Sequence, residues 1–232
     1  MMGFFEPNQI LFFITIMLLT AIPVGFFAGL FGIGGGLITV PFLFFIFETL
    51  NIEKQYLMHL AVGTSFAIII PTSIVSVLTH RKHKSVDSNV IKNYGTFVIS
   101  GVLIGTVFAA LMKTKSLLIF FSVVVYFLGT YLLLLQEKAK EIKRNFGFYP
   151  KIIFGFISGF ISAPMGIGGA IMNVPILRYF GYPINIAIGS AAAVGFVIAL
   201  FGAIGFLVSG SFMKANLPLS IGFINIPAFL IF

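Results

Sequence analysis

The residues with the clearest chemical potential lie in two near-copies of one decapeptide. These are Gly32-Ile33-Gly34-Gly35-Gly36-Leu37-Ile38-Thr39-Val40-Pro41 and Gly166-Ile167-Gly168-Gly169-Ala170-Ile171-Met172-Asn173-Val174-Pro175, identical at six positions and 134 residues apart from Gly32 to Gly166. Consecutive glycines allow left-handed backbone and close approach of another group to the main chain. A helix that starts after such a break presents unpaired N–H groups and partial positive charge, which makes it an anion-binding end. Gly32, Gly34, Gly35 and Gly36 in the first copy, and Gly166, Gly168 and Gly169 in the second, are therefore the expected backbone contacts for a small anion. Thr39 and Asn173 occupy equivalent positions and add side-chain hydrogen bonds at the same depth. Pro41 and Pro175 each remove a donor and free a carbonyl, so they are expected to bend the short segments that carry them.

A second pair of matching stretches follows. Met58-His59-Leu60-Ala61-Val62-Gly63-Thr64-Ser65 aligns with Ile184-Asn185-Ile186-Ala187-Ile188-Gly189-Ser190-Ala191 once the second copy is given an eight-residue deletion. Thr64, Ser65 and Ser190 are the expected hydroxyl donors to the same ligand; the competing reading has each hydroxyl bonded to its own helix backbone. His59 and its partner Asn185 are secondary candidates, with a structural role as the alternative for the histidine. Arg178 is a third, against the alternative that it snorkels to an interface.

The same inventory excludes much chemistry. The acidic residues are Glu6, Glu48, Glu53, Asp87, Glu137 and Glu141, none deep in a long apolar run, so neither a buried carboxylate proton relay nor aspartyl catalysis is supported. Cysteine is absent, which removes disulfides, thiolate catalysis and cysteine-ligated metals. The sequence contains neither a serine-nucleophile motif within an apolar helix nor a His-Glu-x-x-His zinc motif, and no strand precedes the glycines as a dinucleotide fingerprint would require. An enzyme is not expected, nor a metal or cofactor.

The elements that must hold these residues are set by composition. With 59% hydrophobic and 9% charged residues and a mean hydropathy of +1.13, the chain cannot coat a soluble globule. An all-α, polytopic membrane protein follows, with the lipid bilayer as its surroundings. Apolar runs of spanning length lie near residues 8–30, 56–79, 94–112, 116–135, 150–165 and 184–209, with another beginning near 217. The first run lacks a basic leader and a small-residue cleavage site, and reads as a retained helix. The formal net charge of +8 comes mostly from two loops, Arg81-Lys82-His83-Lys84 with Lys92, and Lys138, Lys140, Lys143 and Arg144 with Lys151. The positive-inside rule accounts for them better than nucleic acid does, and places loops 81–92 and 136–150 in the cytoplasm.

The chain therefore divides into a first transmembrane repeat (1–135), a basic linker (136–150) and a second repeat (151–232). Each repeat comprises a spanning helix, the glycine break, a short apolar segment at membrane depth, a polar turn, a long helix entered through Gly-Thr/Ser and two further helices. Phe232 falls opposite Thr106 in the first copy, so the second copy is expected to be incomplete at its C-terminus. If the short segments cross the membrane the repeats are inverted, and if they re-enter a count of four passes makes them parallel. Residue order alone leaves both open. Elsewhere, Gly25 with Gly29, Gly101 with Gly105, and Gly155 with Gly159 and Ala163 read as small-residue packing faces.

At Gly32 to Pro41, Gly63 to Ser65, Gly166 to Pro175 and Gly189-Ser190, the sequence resembles the TauE/SafE family of membrane permeases, also called the sulfite exporter family. The resemblance implies a prokaryotic inner-membrane secondary transporter of sulfite, organosulfonates or related small anions. Ala170, where the first copy has glycine, is a departure that narrows the second hairpin. The expected function is a permease binding a small anion between the two hairpins; a non-transporting scaffold or subunit and a passive anion channel are the alternatives. Oligomeric state is not specified by any feature of the sequence.

Overall fold

A computed structural model describes residues 7–31, 35–134, 146–215 and 217–232. Apolar sequence in lipid must satisfy its backbone internally, and helices do so. Nine are described: α1 (Pro7–Phe31), α2 (Gly36–Thr49), α3 (Leu57–Lys82), α4 (Gly95–Leu111, entered through a π-helical turn at Val90–Tyr94), α5 (Thr114–Leu134), α6 (Phe148–Met165), α7 (Ala170–Tyr179), α8 (Ile184–Phe212) and α9 (Ile226–Ile231). Among the described residues, five stretches are long and apolar enough to cross a membrane, namely Leu57–Lys82, Val90–Leu111, Thr114–Tyr131, Phe148–Met165 and Ile184–Phe212. Leu19, Ile22, Val75, Leu111, Phe127 and Leu133 are exposed on the outside of the bundle, as on a surface that faces lipid. The protein is an integral, all-α membrane protein.

The apolar run from 217 does not form the expected spanning helix. Leu219 and Gly222 take positive φ (52° and 56°), and Ser220–Ile221 pairs antiparallel with Ile224–Asn225 as β1 and β2. Helix resumes only at α9, where Asn225 Oδ1 accepts the Ala228 N–H at 3.0 Å. Pro218 and Gly222 break what hydropathy alone reads as continuous. The basic linker lies largely outside the described residues, and its last three positions already belong to α6.

Two helix pairs set the frame. α4 and α6 run parallel and pack through glycines on both sides, Gly101 and Gly105 against Phe156 and Phe160, and Gly155 and Gly159 against Tyr94 and Val98. Ala163 seats against Gly105, as the small-residue reading anticipates. Gly25 does not follow that reading: a Cβ there would meet nothing within 4 Å. The surroundings of Gly29 are not described.

The second pair, α3 and α8, is antiparallel. Gly63, near the start of α3, lies under the carbonyl of Phe223 in the segment after α8, and Thr64 Oγ1 accepts the Asn225 N–H at 2.9 Å. At the other end Gly189, near the start of α8, lies under the carbonyl of Ser85 in the segment after α3, and Ser190 Oγ accepts the Asp87 N–H at 2.9 Å. Each long helix is thus clasped by the loop that leaves the other, with the same two-residue step between carbonyl and N–H.

The short helices leave the middle of this frame for opposite ends. α2 is about 21 Å long and delivers the chain to the start of α3, at the end of the molecule that carries Lys113. α7 is about 15 Å long and runs back toward the Lys82 end. There Phe180 stacks on Phe146, just ahead of α6, with ring centroids 4.3 Å apart. α6 and α7 are therefore the two arms of a hairpin whose outer ends lie together.

Candidate functional site

The start of α2 meets the end of α6. Gly166 ends α6 in the left-handed region (φ 66°, ψ 29°), and its carbonyl lies directly against Cα of Gly36, the first residue of α2. Ser65 Oγ donates to that same carbonyl at 3.0 Å, so α2, α3 and the second hairpin converge on one peptide group. Gly35 (φ 72°) and Gly169 (φ 70°) are the N-cap residues of α2 and α7, and neither helix has a side-chain cap. The positive φ values explain the glycines, and the missing caps leave first-turn N–H groups of both helices available. Gly32 and Gly34 lie outside the described residues.

A cavity of about 280 Å3 opens beside this junction. Gly35 and Thr39 line it from α2, and Gly168 and Ala170 line it from the start of α7. Thr72, Ser73 and Ser76 supply a hydroxyl face from α3, and Gly25 leaves space on the α1 side. Among the described residues, no lining side chain is charged. The N-terminal ends of α2 and α7, each equivalent to roughly half a positive charge, contribute to the cavity's electrostatics. Two of its hydroxyls bond to their own helices: Thr39 Oγ1 donates to Gly35 O at 3.0 Å, and Thr72 Oγ1 donates to Ile69 O at 3.0 Å. Sequence reading missed Thr72, Ser73 and Ser76. The available signal was a hydroxyl cluster just after Pro71, a proline that leaves the Ala67 carbonyl without its helical N–H partner.

The other sequence candidates are placed differently. Thr64 and Ser190 form the two clasps, at opposite ends of the frame, and Ser65 holds Gly166. Asn173 is fully buried on the far side of α7, where its Oδ1 accepts from Tyr94 Oη and from Ser158 Oγ, both at 2.7 Å. His59 is buried with Nε2 3.1 Å from the Ala109 carbonyl, and its ring packs on Phe223 at 5.1 Å between centroids. It borders a separate, lysine-rimmed pocket with Lys54, Lys113 and Lys115. Asn185 is exposed at the start of α8, and Arg178 donates to the Tyr182 carbonyl at 3.1 Å at the end of α7. Pro41 and Pro175 occupy the sixth position of α2 and α7 respectively, so they free the carbonyls of Leu37 and Ile171 in equivalent turns.

Three buried side-chain atoms among the described residues make no hydrogen bond: His59 Nδ1, Ser162 Oγ and Asn173 Nδ2. A buried polar group without a partner costs about 1–3 kcal/mol. Two of the three flank Gly169. No cluster of three or more His, Cys, Asp or Glu suited to a metal occurs among the described residues.

The start of α2 thus meets the end of α6 beside a cavity whose described lining side chains carry no charge. The family model for the sulfite exporter TauE/SafE matches residues 17–231. The chain belongs to that family. It is 33% identical over 218 residues to a probable membrane transporter protein of Haemophilus influenzae, covering 94% of this chain and 83% of the relative. A probable membrane transporter protein of Methanocaldococcus jannaschii is 28% identical over 229 residues, covering 96% of this chain and 82% of the relative. A third, from Bacillus subtilis, is 25% identical over 219 residues, covering 84% and 79%. No solved structure matches the chain significantly. The protein is a membrane transporter of the TauE/SafE family.

Proposed function

We propose that the protein is a secondary transporter of small anions, with sulfite, organosulfonates and related sulfur-containing or organic anions as its substrate class. The observation that carries this reading is the cavity bordered by Gly35 and Thr39 on one side and by Gly168 and Ala170 on the other. It brings two uncapped helix N-termini to one space in an apolar interior. A cation would meet two like-signed helix ends there, whereas an anion gains from both. The family's printed description, a sulfite exporter, points to the same class.

In this reading the first repeat (1–135) and the second (151–232) are inverted copies, and transport rocks one against the other about the Gly36–Gly166 junction. The antiparallel course of α3 and α8 supports the inversion. The Lys82 end, with loops 81–92 and 136–150, faces the cytoplasm of a prokaryotic cell whose inner membrane holds the protein.

The test is flux into proteoliposomes containing the full chain, screened across sulfite, sulfate, thiosulfate, methanesulfonate and acetate. Saturable uptake of one or more, competed by the others, is the expected result. Correctly folded protein that moves none of them would remove the proposal. Uptake that depends on an imposed proton or sodium gradient would identify a carrier; gradient-independent conductance would identify a channel.

A further inference from the structure

Gly169 is flanked by two polar groups with nothing to bind. Asn173 is fully buried and Ser162 is 1% exposed, yet Nδ2 of the first and Oγ of the second have no partner. A Cβ placed on Gly169 would lie 2.8 Å from Asn173 Nδ2 and 3.6 Å from Ser162 Oγ, so both groups border the space that the missing side chain would fill. The orientation of Asn173 is set from behind, because Tyr94 Oη and Ser158 Oγ both donate to its Oδ1. That leaves the NH2 to face forward as a donor. The opening at Gly169 is closed at present by Cδ1 of Ile198, one turn along α8 from Gly195, which lines the central cavity. Gly168 and Ala170, on either side of Gly169, line that cavity as well.

We propose that Asn173 Nδ2 and Ser162 Oγ form a subsite that receives one oxygen of a small oxyanion, whose remaining atoms occupy the cavity beside Gly168 and Ala170. An amide NH2 and a hydroxyl are both donors, so an acceptor oxygen completes the site. The Ile198 side chain is the part that yields when the oxyanion enters. This assignment rests on the anion-transport reading and adds two named contacts to it. Ser162 lies outside both repeated motifs, and Asn173 acts from the wall behind the cavity.

Anion binding to the purified full-length chain tests it, measured by titration calorimetry and by ligand-induced thermal shift with sulfite, sulfate, methanesulfonate and acetate as probes. Ser162→Ala is expected to weaken the best-binding oxyanion about tenfold or more. Its ligand-free melting temperature is expected to stay level or rise, because the variant removes an unpartnered hydroxyl. Ile198→Val, which deletes only the methyl over Gly169, is expected to tighten binding. If the wild type binds and both variants bind with unchanged affinity, the pair holds water alone and the subsite is refuted. If the wild type binds none of the probes, the anion reading itself falls, and the two failures are told apart.

Discussion

The carbonyl of Gly166 lies against Cα of Gly36, and at this contact the start of α2 touches the end of α6. A side chain at either position would separate the two helix ends. Gly36→Ala drives a methyl into the Gly166 carbonyl and to 2.9 Å from Ile167 Cα. Gly166→Ala imposes a left-handed φ of 66° on a residue with a Cβ, 2.8 Å from Val40 Cγ2. Each is expected to cost about 2–4 kcal/mol, seen as a lower melting temperature in detergent or as loss of folded protein. Gly25→Ala, which meets nothing within 4 Å, is the control and should leave stability unchanged.

The two clasps should fail independently. Ser190→Ala leaves the Asp87 N–H without an acceptor, and Thr64→Val does the same to the Asn225 N–H. Hydrogen exchange is expected to rise around residues 85–87 in the first variant and around 223–225 in the second. A global loss of about 1–2 kcal/mol should accompany each. Exchange that rose at both ends in either variant would show that the clasps are not separate.

Tyr94→Phe removes one of two donors to Asn173 Oδ1. Because Ser158 still donates to that oxygen, the expected loss is limited to about 1–2 kcal/mol. Asn173→Leu removes the acceptor of both hydroxyls, leaving Tyr94 Oη only the Phe154 carbonyl at 3.4 Å, and should cost more than Tyr94→Phe in the same thermal melt.

Filling the cavity should stop transport without unfolding the protein. Ser76→Phe, from the hydroxyl face of α3, is expected to lower anion flux at least about tenfold at normal membrane expression, as displacement of a substrate worth only 1.4 kcal/mol of binding would suffice. Undiminished flux would place the pathway elsewhere.

Tyr182, in the turn between α7 and α8, has its phenol pushed above the ordinary range, first by burial and then by the negative charge of Asp87. A raised value in the folded state means that its stabilisation is complete below about pH 10 and is lost as pH rises through that raised value. Alkaline melts should show a decline in the wild type that is reduced in Tyr182→Phe.

The Gly-Thr/Ser pairs show how far the sequence could be read. Their repetition marks the start of each long helix, and α3 and α8 do begin at Leu57 and Ile184. Their partners, Asn225 and Asp87, lie 161 and 103 residues away, and no local pattern signals a hydrogen bond across that distance. The same limit applies to Asn173. Its equivalence to Thr39 is legible, but Thr39 borders the cavity while Asn173 turns to Tyr94 and Ser158 on neighbouring helices. Hydropathy located the spanning helices because burial in lipid is a property of each segment alone. It failed after Leu217, where Pro218 and the positive φ of Gly222 decide the backbone instead.

The crossed clasps also bear on how the protein is made. Gly63 and Thr64 leave the ribosome long before Phe223 and Asn225, and Ser85 and Asp87 precede Gly189 and Ser190 in the same way. During synthesis α3 is therefore inserted with its docking surface vacant. The early helices must wait in the bilayer, held by lipid or by the insertion machinery, until the late segments arrive.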